Sequence, residues 1–163
     1  MHKSVMEFFT RERDAHELDD PENVILEIGS YDVNGTVREL FPENKHYAGI
    51  DIVPGPTVDL LCNAHDIPLE DASLDVILCA EMLEHDSSPQ LTFKEIGRLL
   101  KPGGTLVISA RAVDFPFHCP PDYWRFTHED FEALFFLAGL DVVVIEDDWS
   151  AVDPGVFGVG CKS

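Results

Sequence analysis

The chain has 163 residues, 45% of them hydrophobic, which is enough for one packed core and too few for two full domains. Eleven Lys and Arg stand against 31 Asp and Glu, a formal net charge of −20 at pH 7, and such a field repels phosphate backbones and anionic lipid headgroups. Direct nucleic-acid binding and attachment to a membrane surface are therefore not expected.

Residues 1–20 read as a helical lead-in, with a short helix over 4–17 that Ser4 caps and to which Val5, Phe8 and Phe9 give a partial apolar face. After a break at Asp20-Pro21, the run Val24-Ile25-Leu26-Glu27-Ile28 has the density of a buried strand and ends at Gly29. Asn34-Gly35 opens a short helix over 34–41, stopped by Pro42. A second strand over 47–52 is followed by Pro54-Gly55-Pro56, and the next apolar stretch, 58–62, comes too soon for an ordinary parallel crossover, so it predicts a brief edge strand.

Residues 74–79 make a fourth strand, followed by a helix over 88–100 with Pro89 in its first turn, where a missing N–H costs nothing. A fifth strand over 105–110 precedes Thr127-x-x-Asp130, an N-cap signal ahead of Phe131, Leu134, Phe135 and Ala138 at helical spacing, with Gly139 at the stop. Strands over 141–146 and 156–161 then form an antiparallel end pair. The pattern predicts a single α/β domain over 1–163: a mostly parallel sheet with helices on both faces and an antiparallel C-terminal hairpin.

Cys62, Cys79, Cys119 and Cys161 lie far apart, without the two-residue spacing of zinc knuckles or dithiol sites, so four free thiols are expected. No uncharged apolar run approaches the ~20 residues that cross a bilayer, and the N-terminus turns charged early. A cytoplasmic location is the expectation.

In open parallel sheets ligands gather just beyond the carboxyl ends of strands. There the chain places Gly29, which lets backbone approach a ligand, and, some 20 residues on, Asp51, a carboxylate able to accept both hydroxyls of a ribose. An ordinary strand-to-helix turn also accounts for the first feature; the two together favour a nucleoside-containing ligand.

The segments ILEIGSYDVNG, YAGIDI, NAHDIPLEDASLDVILCAEMLEH and RLLKPGGTLVIS, in this order over about residues 24–110, resemble class I S-adenosylmethionine-dependent methyltransferases. The resemblance implies a Rossmann-like fold whose last strand runs antiparallel between its neighbours, with S-adenosylmethionine as cofactor. It makes Glu27 the residue that holds the methionyl amino group through water, Gly29 the point of close approach, and Asp51 the ribose ligand. Ile52 would lie on adenine, Asp66 would accept from its exocyclic amine, the Ile67 N–H would face the ring, and Ala80 and Glu81 would line the sulfonium end.

The first loop departs from the family's E-x-G-x-G-x-G, with Tyr31 and Val33 in place of later glycines and a length greater by about two residues. A β-branched residue at 33 excludes φ > 0 there, so Gly35 takes over the close approach. Ser30, Tyr31, Asp32 and Asn34 complete the ligand-facing loop, Asp32 or Asn34 holding polar atoms of the cofactor. Two of these assignments compete with plainer ones: Asp66 as the cap of a turn before Pro68, and Ile52 as core.

The acceptor is a small molecule or a peptide. If it must lose a proton, His85 and His118 are the candidate bases, an imidazole titrating near neutrality. Residues 112–126, rich in aromatics and prolines, suit a lid. Glu84, Arg111, Tyr123, Trp124 and Arg125 are the candidate acceptor-binding residues, the arginines suiting an anionic or carbonyl-bearing molecule unless they pair with Asp122 or Asp130. Carboxylates beside a sulfonium need no metal, and none is assigned. The alternative is a catalytically silent subunit that binds S-adenosylmethionine or S-adenosylhomocysteine. A nicotinamide-dependent oxidoreductase shares the glycine turn but lacks its G-x-G-x-x-G.

Overall fold

Short apolar runs flanked by turn residues pair into one sheet because each is apolar on both faces and needs cover on both. In the computed structural model, which describes residues 2–117, 122–148 and 153–163, the strands are β1 (Val24–Ile28), β2 (His46–Asp51), β3 (Leu60–Leu61), β4 (Leu74–Ala80), β5 (Leu100–Arg111), β6 (Leu140–Asp148) and β7 (Gly155–Lys162). Their order is β3-β2-β1-β4-β5-β7-β6. The first five pair in parallel, and β7 lies antiparallel between β5 and β6, as expected.

Helix α1 (Lys3–Ala15) covers one face, where Val5, Phe8 and Phe9 pack with Val107, Phe157 and Val159. Helices α2 (Pro89–Leu99) and α3 (His128–Ala138) cover the other with Phe93, Ile96, Phe131 and Phe135. Each such fully buried side chain contributes roughly 2 kcal/mol. The two helices touch at Gly97, where an added Cβ would stand 2.2 Å from the Ala138 carbonyl oxygen. The capping box at the start of α3 forms as the sequence predicts: Thr127 Oγ1 accepts from Asp130 N at 3.2 Å, and Asp130 Oδ2 accepts from Thr127 N at 2.9 Å.

Three local expectations are corrected. Ser4 lies inside α1 and does not cap it; His2 occupies the cap position and makes no side-chain cap bond. The helix over 34–41 reduces to a 3-10 turn, Val37–Leu40, because Asp32 to Gly35 is spent on a tight turn and Pro42 follows. Strand β5 starts at Leu100 and not at 105: it pairs Leu74 with Leu100, then resumes at Val76 with Thr105, so the Pro-Gly-Gly segment interrupts the register without ending the strand.

The strand order reverses between β1 and β4, and their carboxyl ends open a crevice there. Among the described residues no helix is long and apolar enough to cross a membrane, and Cys62, Cys79 and Cys161 are free thiols.

Candidate functional site

A cavity of about 630 Å3 occupies this crevice, its walls supplied by the ends of β1, β4 and β5 and by the start of α1. The first wall begins where Gly29, at φ +79°, turns the chain across β2: the N–H groups of Gly29 and Ser30 both donate to the Ile50 carbonyl, at 2.9 and 3.0 Å. A Cβ on Gly29 would stand 2.3 Å from Met82 Cγ, so the close approach that this glycine permits is made by Met82. Ser30 is buried, and its Oγ has no hydrogen-bond partner among the described residues. The second turn closes when Asp32 Oδ1 accepts from Gly35 N at 2.6 Å, with Gly35 at φ +114°. Asn34 and Gly35 line the cavity, whereas Asp32 does not: its carboxylate shapes the loop. The altered loop thus moves its positive-φ position to 35, as the β-branched Val33 requires.

Three glutamates reach the cavity. Glu27 is 3% exposed and accepts from Tyr47 Oη at 2.8 Å and Thr36 Oγ1 at 3.3 Å. Burial outweighs these bonds and pushes its carboxyl up to about 7. Glu81 follows β4 at φ +51°, a conformation that costs a non-glycine residue roughly 1 kcal/mol or more. Its Oε1 lies 2.8 Å from Arg111 Nη2 and its Oε2 3.9 Å from His2 Nε2. Burial still raises its carboxyl despite Arg111.

Glu84, in the 3-10 turn Leu83–His85, is also 3% exposed. Its carbonyl accepts from Tyr123 N and Trp124 N, and its Oε1 is 4.0 Å from Arg111 Nε, but Oε2 has no hydrogen-bond partner among the described residues. Burial raises this carboxyl too. Arg111 completes the cluster, lying 4.1 Å over the Phe115 ring. Ala80 and the exposed His85 also line the cavity.

The ends of β2 and β3 differ. Asp51 Oδ1 accepts from Val53 N at 2.9 Å and Oδ2 from Tyr31 N at 3.2 Å. Asp51 does not line the cavity, although Tyr31, which does, hangs from its carboxylate. Tyr31 lays its ring against Gly55, and Ile52 is 71% exposed, which excludes the core reading of that residue. The assignment of Ile67 is corrected: its side chain is in the core and its N–H donates to Glu95 Oε2 at 2.9 Å. Arg98 holds both the Ile67 carbonyl and Glu95, which draws residues 63–67 toward α2. Asp66 is exposed and off the cavity, its N–H bonded to the Asn63 carbonyl in a turn.

The acceptor-side assignments divide. Phe115, Pro116 and Asp122 of the 112–126 segment line the cavity; Tyr123, Trp124 and Arg125 do not. Arg125 is corrected to an anchor: it donates to Asp122 at 2.5 and 2.7 Å and to the carbonyls of Phe115 and Pro116, and it stacks on Phe117. Trp124 Nε1 donates to the Asp86 carbonyl at 2.8 Å. His118 lies outside the described residues.

Sequence reasoning leaves one pair unrecognised. His65 approaches Asp86 Oδ1 at 2.6 Å, while Thr92 Oγ1 and Ser88 N also bond this carboxylate. This knot ties the turn after β3 to the N-terminus of α2, and residues 21 apart give no periodic signal. Among the described residues no three His, Cys, Asp or Glu are grouped to hold a metal ion.

Residues 22–108, more than half of the chain, match the family model described as a methyltransferase domain. An uncharacterised methyltransferase-like protein of Schizosaccharomyces pombe is 35% identical over 99 residues, 55% of this chain and 38% of that protein. O-methyltransferase resE of Aspergillus sclerotiorum is 37% identical over 71 residues, 43% of this chain and 26% of that protein. The chain thus spans less than two fifths of these curated relatives. Burkholderia thailandensis 1,6-didemethyltoxoflavin-N1-methyltransferase, solved with 1,6-didemethyltoxoflavin and S-adenosylhomocysteine bound, superposes with a TM-score of 0.79 at 20% identity, over 99% of this chain and 79% of that one, and shares its fold.

Proposed function

The chain belongs to the methyltransferase-domain family, with S-adenosylmethionine as its cofactor, and from that premise we propose that it transfers a methyl group to a small-molecule or peptide acceptor held between β4, β5 and the 112–126 segment. The observation that carries this reading is the cluster of buried Glu27 and Glu84 with half-buried Glu81 at the topological switch point, with Arg111 the only Lys or Arg among the described lining residues.

The residues fit the cofactor. Buried carboxyls whose burial disfavours their charge gain most from a cationic neighbour, and the cofactor brings two positive groups, an ammonium and a sulfonium. When bound, S-adenosylmethionine supplies an electrophilic methyl group on sulfur. Glu27, poised near neutrality, would accept from the ammonium, and the unpartnered Ser30 Oγ offers a further polar contact. Asp51 spends one lone pair of each oxygen on backbone N–H groups, which leaves a pair on each for a ribose diol. Exposed Ile52 supplies an apolar shelf beside it. Orientation of the acceptor against the methyl group is the main task left to the protein, and it can be worth effective molarities of ~10⁵ M.

The names of the similar proteins cover transfer to nitrogen and to oxygen, one an N1-methyltransferase and one an O-methyltransferase. The acidic surface argues against a nucleic-acid acceptor, and we place the protein in the cytoplasm, in keeping with its free thiols.

S-adenosylhomocysteine at roughly a hundred times its Kd should stabilise the fold by ~2.7 kcal/mol, a rise in Tm of about 5–10 °C. A folded sample with no shift at millimolar ligand overturns the reading.

A further inference from the structure

We propose that Glu84 is the general base of the reaction and that the acceptor is a small primary or secondary amine that enters as its ammonium ion. The inference rests on the methyltransferase reading and deepens it. Three ion pairs at the cavity are close: Arg111 with Glu81 at 2.8 Å, His2 with Asp153 at 3.0 Å, and Asp122 with Arg125 at 2.5 Å, while Glu27 is satisfied by the hydroxyls of Tyr47 and Thr36. Glu84 is left over. Its carboxylate is buried in the wall, its nearest cation is Arg111 Nε at 4.0 Å from Oε1, and Oε2 accepts no hydrogen bond among the described residues. An unsatisfied carboxylate oxygen this deep is costly in the free protein, and a ligand that brings a charged N–H removes the cost.

The same geometry disfavours an anionic acceptor. Arg111, the cation expected to capture one, is already paired through Nη2 with Glu81 and stacked on Phe115, so a carboxylate or phosphate would compete with Glu81 for its charge. Arg125 is consumed by Asp122 and two carbonyls. His85, the base expected from sequence, is exposed, whereas Glu84 is buried.

The step balances as follows. Glu84 takes one proton from the ammonium and becomes a carboxylic acid, freeing the nitrogen lone pair. The N–CH3 bond forms as the S–CH3 bond breaks, the bonding pair stays on sulfur as a neutral thioether, and the product leaves as an N-methylammonium ion. Glu84 then returns its proton to water. The charged groups facing Glu84 are His85 in its own turn, Glu81 at the end of β4, Arg111 of β5 and Arg125; burial opposes its anion, while its own backbone N–H, His85, Arg111 and Arg125 favour it.

The test uses the full chain with a series of small primary and secondary amines, the alcohols and carboxylic acids of the same skeletons, and Glu84→Gln. Amines should be methylated at least a hundredfold faster than the matched acids and alcohols. Glu84→Gln should bind S-adenosylhomocysteine within about threefold of wild type, lose ~10²-fold or more in kcat, lose the acidic limb of the pH profile, and weaken calorimetric binding of the best amine more than tenfold. Preference for acids or alcohols, or a variant with unchanged kcat, pH profile and amine binding, overturns the proposal. S-adenosylhomocysteine binding without binding or methylation of any amine in the series also overturns it and leaves the cofactor reading standing. Absence of S-adenosylhomocysteine binding to wild type overturns the cofactor reading itself.

Discussion

The two ends of the crevice are built on different principles. At the ends of β1, β4 and β5 the functional carboxyls are buried or half-buried, Glu27 hydrogen-bonded to Tyr47 and Glu81 ion-paired with Arg111, and they are backed by packed strands and helices. At the ends of β2 and β3 the strand is two residues long, no helix follows β2, and Ile52, Leu60 and Leu61 are exposed. A methyl transfer needs precision at the sulfur, and that end is held rigid before any ligand arrives. The nucleoside end only has to be gripped, and its groups sit on an open shelf which the ligand itself would cover.

The contrast is most severely tested at Arg111. Arg111→Leu leaves half-buried Glu81 and buried Glu84 without their arginine, and unfolding free energy should fall by ~3 kcal/mol in denaturant titrations; a loss under 1 kcal/mol would show that the glutamates are not held as charges. Gly29→Ala forces an alanine to φ +79° and into Met82, for a loss of ~3 kcal/mol by the same measurement. A neutral outcome there would mean that the loop moves freely, against a preorganised end.

Glu27 sharpens the comparison through pH. Its carboxyl is pushed from the ordinary 4.5 up to about 7, so between those values the native state keeps a proton that the unfolded chain has lost. Its contribution is complete below about pH 4.5, falls as pH rises and is gone above about 7, an amplitude of ~3 kcal/mol. The stability gap between wild type and Glu27→Gln should widen over that window in favour of the variant; a flat gap would mean that Glu27 is ionised throughout.

The smallest effect on stability is expected at the open end. Asp51→Ala should change unfolding free energy by ~1 kcal/mol at most, yet weaken S-adenosylhomocysteine binding more than about tenfold in calorimetry. Unchanged affinity would remove the ribose assignment.

The local signals that carried furthest in the sequence were those with a mechanism inside one segment. Thr127-x-x-Asp130 specified a cap, Pro89 a first helical turn, and the crowded Pro54-Gly55-Pro56 a stunted edge strand, and all three form. The position of Glu27, Gly29 and Glu81 at strand ends followed from the strands themselves. Misassignments fell where a distant partner decides. Ile67 loses its N–H to Glu95, 28 residues away, and His65 finds Asp86, 21 residues away, whereas the pairing of Arg125 with Asp122 was already open in the sequence.

By itself, then, the order of residues determined which segments become strands and helices and which side chains stand at their ends, because periodicity, caps and turns act over a few residues. Which of those side chains share one cavity, and which carboxylate oxygen accepts no hydrogen bond among the described residues, were decided only by the packed structure. Burial and charge pairing depend on neighbours that the chain brings together from far apart, and no local pattern records them.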